Sequence, residues 1–209
     1  MHRQMEKDLI KYLVELEDEG EKLISLGKQL LELIGLSEFA LFCIAILNRT
    51  INLNRGFITL IKDSNYIAAA PLVRLNLDSL LRLFASTQVE FDYETFAQKV
   101  RNGEKISNMK DKEEGIKLKD FELVKRLKEI KGLRWVGNVY DVGSGFVHLS
   151  ENHIKSAYTV DEGIITGGIR KSDEFISIKE KISATNFMIQ ASRGIRIFIG
   201  DWIEIIKKQ

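Results

Sequence analysis

The residues best suited to chemistry lie in the stretch VYDVGSGFVHLSENHI, where Tyr140, Ser144 and His148 recur at four-residue intervals. On a helix that spacing places all three on one face, one turn apart. A histidine is the side chain whose charge changes most readily near neutral pH, and two hydroxyls beside it can fix its tautomer or share its proton. The chain holds only three histidines, so the placement of one within an apolar segment stands out. A second row, Arg74, Asp78 and Arg82, is spaced i, i+4, i+8 among Leu72, Val73, Leu75, Leu77, Leu80 and Leu81. At this spacing Arg and Asp form ion pairs along a helix. Set among leucines, part of the row is expected to be buried, and a buried Arg requires a partner, for which Asp78 and Tyr140 are the candidates.

Other chemistries find less support. His148 and His153 are five residues apart, on different parts of a helix. With Glu151 and Asp141 they do not make a ligand set, so no metal is expected. Gly143-Ser144-Gly145 is too short for a nucleophile elbow and no strand leads into it. No phosphate-cradling glycine loop is present, and no cofactor is expected. The only cysteine, Cys43, sits in the apolar run FALFCIAIL and reads as a small core residue. A lone cysteine rules out a disulfide within the chain and fits a reducing, cytoplasmic setting.

The elements that must position these residues are helices. One proline in 209 residues, 44% hydrophobic content and long Leu/Ile/Lys/Glu-rich stretches indicate a single, mainly α domain spanning 1–209. Leu9, Leu13, Leu16, Gly20, Leu23, Gly27, Leu30 and Ile34 step by fours and threes, the pattern of a helix packed along a seam. Gly20 and Gly27 on that seam are expected to admit a close neighbour or to kink the helix. Gly35 ends this helix and Ser37 caps the next, which runs to about Lys62. Ser64 is placed as the cap of a third helix carrying the Arg74 row, with a kink or late start at Pro71. Asp92 caps a short fourth helix, and Asp120 caps FELVKRLKEI, ended by Gly132. The polar stretch 103–119 reads as a connecting loop with room for a short helical turn.

Two β-branched runs, Ser156–Val160 and Ile164–Ile169, flank Asp161-Glu162-Gly163 and predict a small β-hairpin appendage over 156–170. A last long helix follows, from about Asp173 to Lys207. The net charge is +1, so no global field draws in nucleic acid. Between Lys99 and Lys131 eleven Lys/Arg face seven Asp/Glu, a local excess open either to RNA phosphates or to a solvated, mixed-charge surface. Arg193 and Arg196 stand in the same two-way position. The longest apolar run, Phe39–Leu47, is far shorter than the roughly 20 residues of a membrane span, so no membrane association is expected.

AAAPLVRLNLDSLLRL, NMKDKEEGIKLKDFELVKRL and VYDVGSGFVHLSENHI together resemble the HEPN-like bacterial helical bundles, a group that includes abortive-infection proteins. The likeness spans about Ser64 to His153. It implies an all-α antiparallel bundle of six or seven helices, here with one hairpin before the last helix. It also implies a defence or toxin–antitoxin setting and a fold that is often dimeric, and long helices with an apolar seam and glycine positions call for a partner, so a homodimer is expected. Nuclease members of the wider group cut RNA without metal through an R-x(4–6)-H motif, with His moving the 2′-OH proton and Arg stabilising phosphate charge. This chain departs from that motif. The window before His148 holds Asp141, Val142 and Gly143, and that before His153 holds Phe146, Val147 and His148. Two readings therefore stand. One is a non-catalytic scaffold that binds a protein partner or small ligand. The other is a metal-independent RNA-binding or RNA-cleaving module, in which Arg74 holds phosphate, His148 is the acid/base, and Tyr140, Ser144, Asp78 and Arg82 orient them. Gly143 and Gly145 matter to both, since they either admit a close helix crossing or break the helix before His148.

Overall fold

A computed structural model of the protein describes residues 2–148 and 150–208. Among them are eight α-helices and one two-stranded antiparallel sheet, ordered α1 (His2–Ile34), α2 (Glu38–Lys62), α3 (Tyr66–Ala85), α4 (Tyr93–Arg101), α5 (Asp120–Leu127), α6 (Trp135–Val147), α7 (Glu151–Lys155), β1 (Tyr158–Asp161), β2 (Ile164–Gly167) and α8 (Ile178–Ile206). The expected helical bundle with a hairpin before its last helix is what the chain forms. No described helix is long and apolar enough to cross a membrane.

The seam on α1 is buried within the chain. Leu13, Leu16, Leu23 and Leu30 lie in the core, where α1 packs against α8 and α2. The helix runs unbroken through both seam glycines. Gly27 would meet Leu47 at an ordinary 3.5 Å if it carried a Cβ, and Gly20 would meet nothing within 4 Å. Neither glycine is required by a close crossing. Gly35 (φ 71°) ends α1 in the left-handed region, and the Ser37 hydroxyl accepts the Ala40 N–H at 3.2 Å to start α2.

Two ends differ from expectation. The cap of α3 is Asn65, whose side chain accepts the Ala68 N–H, while Ser64 occupies the left-handed region (φ 54°) one residue earlier. Ser64 instead offers its carbonyl to Asp173 N–H at 3.0 Å. α3 then runs through Pro71 from Tyr66, so no late start occurs there. Asp92 caps α4 as expected, accepting the Thr95 N–H at 2.7 Å.

The centre of the bundle lies where α2, α3 and α8 meet. Phe39 is fully buried, its ring 4.7 Å from Tyr93 and 4.8 Å from Trp202, which ties α2 to α4 and α8. A buried polar cluster sits deeper. The Asn54 amide donates to the Ser192 hydroxyl at 2.9 Å, and the Asn76 amide donates to the same hydroxyl at 3.3 Å. Three helices are thereby held in one register, because sliding any of them would strand these groups without water.

The 103–119 stretch is built around one carboxylate. It contains a short 3-10 turn (Ile106–Asn108) and a bridge between Lys110 and Lys117. Asp111 accepts the N–H groups of Glu113, Glu114 and Ile116 at 2.6–2.9 Å and faces Arg126 at 3.3 Å. The Glu114 N–H, with those of Glu113 and Ile116 and the Arg126 charge, holds this carboxyl down at about 2.

In the hairpin, Asp161 pairs with Ile164, leaving a two-residue turn. Both turn residues, Glu162 (φ 47°) and Gly163 (φ 80°), are left-handed, which matches the twist of the strands. Val160 opposes Ile165 on one face, and both are more than half exposed.

Candidate functional site: an arginine–aspartate ladder on α3

The Arg74 row occupies the face of α3 that meets α2, α5 and α6. Asp78 accepts from Arg82 at 2.6 Å along the helix, and from Arg49 on α2 at 2.9 Å. Arg82 also reaches Asp120, the first residue of α5, at 2.6 Å, and Arg74 reaches the other oxygen of Asp120 at 2.8 Å. The Arg74 guanidinium lies over the Tyr140 ring, 4.6 Å from its centroid. Charges thus alternate from Arg49 through Asp78, Arg82 and Asp120 to Arg74, and the ladder ends on an aromatic face. Three cations face two anions.

Burial pushes the Asp120 carboxyl up, but Arg82 and then Arg74 outweigh it and hold it below its ordinary value. Arg82 shows the reciprocal balance: burial works against its charge, while Asp78 and Asp120 more than restore it. Both shifts point the same way, favouring the charged forms of Arg82 and Asp120.

Asp120 does not cap α5. The N-cap position falls on Lys119, with no side-chain cap bond, and the Asp120 carboxylate turns to the two arginines. Likewise Arg74 is satisfied by Asp120 and Tyr140, not by Asp78. Sequence spacing could not supply Asp120, which lies 46 residues from Arg74, or Arg49, which lies 29 residues from Asp78.

The Tyr140–Ser144–His148 face separates. Tyr140 stacks on Arg74. The Ser144 hydroxyl donates to the Tyr140 carbonyl at 2.6 Å, spending its proton inside its own helix. His148 is the C-cap of α6, with extended backbone (φ −112°, ψ 147°) and an exposed side chain. Among the described residues no hydrogen bond, ion pair or ring contact joins the His148 imidazole to Arg74. Gly143 explains why α6 comes so near: a Cβ there would stand 3.0 Å from Arg74 Cβ. The two alternatives for this glycine pair are both realised, a close crossing at Gly143 and a helix that stops before His148.

The remaining candidates are structural partners. Glu19, fully buried on α1, is met by Arg193 at 3.4 Å and Arg196 at 3.1 Å, and Glu15 takes Arg193 at 2.6 Å. Cys43 is buried, and that burial pushes its thiol up and disfavours the thiolate a nucleophile needs. Among the described residues no three His, Cys, Asp or Glu side chains gather as metal ligands. His153 accepts the Ser150 N–H at 3.4 Å and sets its ring 5.8 Å from that of Phe146.

No family model, curated protein or solved structure matches the chain.

Proposed function

We propose that the chain is a HEPN-like scaffold, an interaction module of a bacterial defence or toxin–antitoxin type system that acts as a homodimer and does not cut RNA. The observation that carries this reading is the commitment of Arg74. Its amino group is held by Asp120 and its planar face by Tyr140, so a phosphate would have to displace both. The histidine that the RNA-cleaving reading needs as acid/base does not join it, since His148 is the C-cap of α6 with an exposed side chain. The defence setting rests on the likeness of residues 64–153 to that group.

Purified protein is expected to leave a mixed-sequence RNA intact in EDTA. His148→Ala is expected to change stability by less than about 0.5 kcal/mol, as an exposed substitution. Arg74→Ala is expected to cost about 1–2 kcal/mol through its lost charge-assisted bond and ring contact. EDTA-resistant cutting that disappears in both folded variants would replace this reading with the metal-independent endoribonuclease.

The apolar seam of α1 is covered within the chain, so it does not support the homodimer. The hairpin does. An isolated two-stranded sheet is marginal in water, and its Val160/Ile165 face is uncovered. A second copy offers the same face about a twofold axis. Sedimentation is expected to show a dimer that Val160→Lys with Ile165→Lys converts to a monomer; a wild-type monomer at tens of micromolar would exclude it.

A further inference from the structure

Where α3, α6 and α8 diverge, small side chains face one another. Ala70 on α3, Gly143 on α6 and Ala184 on α8 leave a cavity of about 310 Å³ that their larger neighbours do not fill. Val73, Val139, Phe146 and Phe187 complete an apolar wall, and Lys155 at the end of α7 also lines the cavity. An apolar cavity of about 150 Å³ accommodates a benzene ring. This one has space for roughly two fused rings and falls at the lower end of ligand-site sizes.

Of the uncharged polar residues in the lining, Asn138 and Ser183 are exposed and the Ser156 hydroxyl donates to the His153 carbonyl at 2.8 Å, which leaves Tyr66 as the polar group presented from within. Tyr66 is only 5% exposed, lines the cavity, and packs its ring edge-on against Phe146 at 5.7 Å. Its backbone N–H is held by Asp173, while its hydroxyl is not among the buried side-chain atoms left without a partner (Thr50 Oγ1, Asn76 Oδ1 and Trp202 Nε1) and is reached from the cavity that Tyr66 lines. A hydroxyl open to a cavity takes its partner from whatever fills the space, water or a ligand. The two charges at the rim are already committed. Lys155 pairs with Glu151 at 3.0 Å, and Glu180 closes the capping box of α8 with Ser177. The surroundings of the hydroxyl are acidic: burial, then Glu180 and Asp173, push the phenol up and keep it neutral.

We propose that this cavity is a binding site for a small, neutral, largely apolar molecule of about two-ring size whose single polar atom pairs with the Tyr66 hydroxyl. An anion is disfavoured, because Glu180 lines the cavity and the one cation among its described lining residues, Lys155, is paired with Glu151. A hydrocarbon lacking a polar atom fits the walls but leaves the hydroxyl unpaired.

Calorimetric titration of the full chain with three probes of one shape tests this. 1-Naphthol is expected to bind about fivefold more tightly than naphthalene, the worth of one net hydrogen bond, and 1-naphthoate is expected not to bind at millimolar concentration. Tyr66→Phe should lower 1-naphthol affinity to that of naphthalene and leave naphthalene unchanged. Val142→Phe, at a half-exposed position on the mouth, should abolish binding of both while circular dichroism stays that of the wild type. No heat with 1-naphthol, tighter binding of 1-naphthoate, or undiminished binding in a folded Val142→Phe protein would each overturn the proposal.

Discussion

Asp173→Ala is expected to lower unfolding free energy by about 3 kcal/mol, more than any change on the arginine ladder. Asp173 is a single carboxylate with two duties. One oxygen accepts the first N–H of α3, at Tyr66, from 3.0 Å, and the other holds Lys181 on α8 at 2.7 Å. The carboxylate is 5% exposed and the lysine 13%, so alanine would leave a nearly buried ammonium and a buried N–H without partners. Breaking a buried pair from one side costs about 3–5 kcal/mol. The lower figure applies because a lysine stem can swing its charge outward. For a chain of this length the loss corresponds to about 6–12 °C in Tm. Asp173→Asn keeps an acceptor for Tyr66 and is expected to cost about half as much. Urea unfolding of the three proteins checks this, and a cost below 1 kcal/mol for alanine would mean that water replaces the carboxylate.

Asp120→Asn is expected to cost about 2 kcal/mol at pH 7, and the cost is expected to vanish in acid. The carboxylate serves Arg74 and Arg82 together, and among the described residues Arg74 has no other anion. Its side chain is 28% exposed, which brings the effect below that of a fully buried pair. The pH dependence follows from the direction of its shift. A carboxyl held below its unfolded value of about 3.9 contributes fully above that pH, and the contribution fades as pH falls through its depressed folded value. Wild type and variant should therefore converge in stability as the solution is acidified through that window. Parallel curves down to the lowest pH at which both fold would show that Asp120 acts by packing and not by charge.

The two aspartates illustrate which parts of the molecule were legible in the sequence. Local order was. The α1 seam, the Ser37 and Asp92 caps and the hairpin turn each depend on residues within one or two turns of chain, and their spacing carries that information. Ser64 and Asn65 were harder to separate, since both suit a cap and only the left-handed backbone at Ser64 settles which one caps. Asp120 is the instructive failure. By local rules it is a good first-turn cap, yet two arginines brought in from α3 outbid the backbone N–H groups for its oxygens. The Tyr140–Ser144–His148 face failed for a related reason. Its four-residue spacing is genuine, but Gly143 is used for a close crossing and the helix ends at Val147, so the third member leaves the face. The cavity beside Tyr66 had no linear signature, because Ala70, Gly143 and Ala184 are unremarkable until three helices bring them together.

The pairing of α1 with α8 also has a consequence in time. Glu15 and Arg193 are 178 residues apart, and Glu19 meets its arginines at similar distances along the chain. At synthesis speeds of about 5–20 residues per second, roughly ten to forty seconds separate the appearance of the two helices at the ribosome. Throughout that interval Leu16, Leu23 and Leu30 lack the surface that α8 will provide, and Glu19 lacks both arginines. Of the two neighbours that cover α1, α2 follows it directly in the chain while α8 arrives only after the intervening helices, so the α8-facing side of this stripe is completed late.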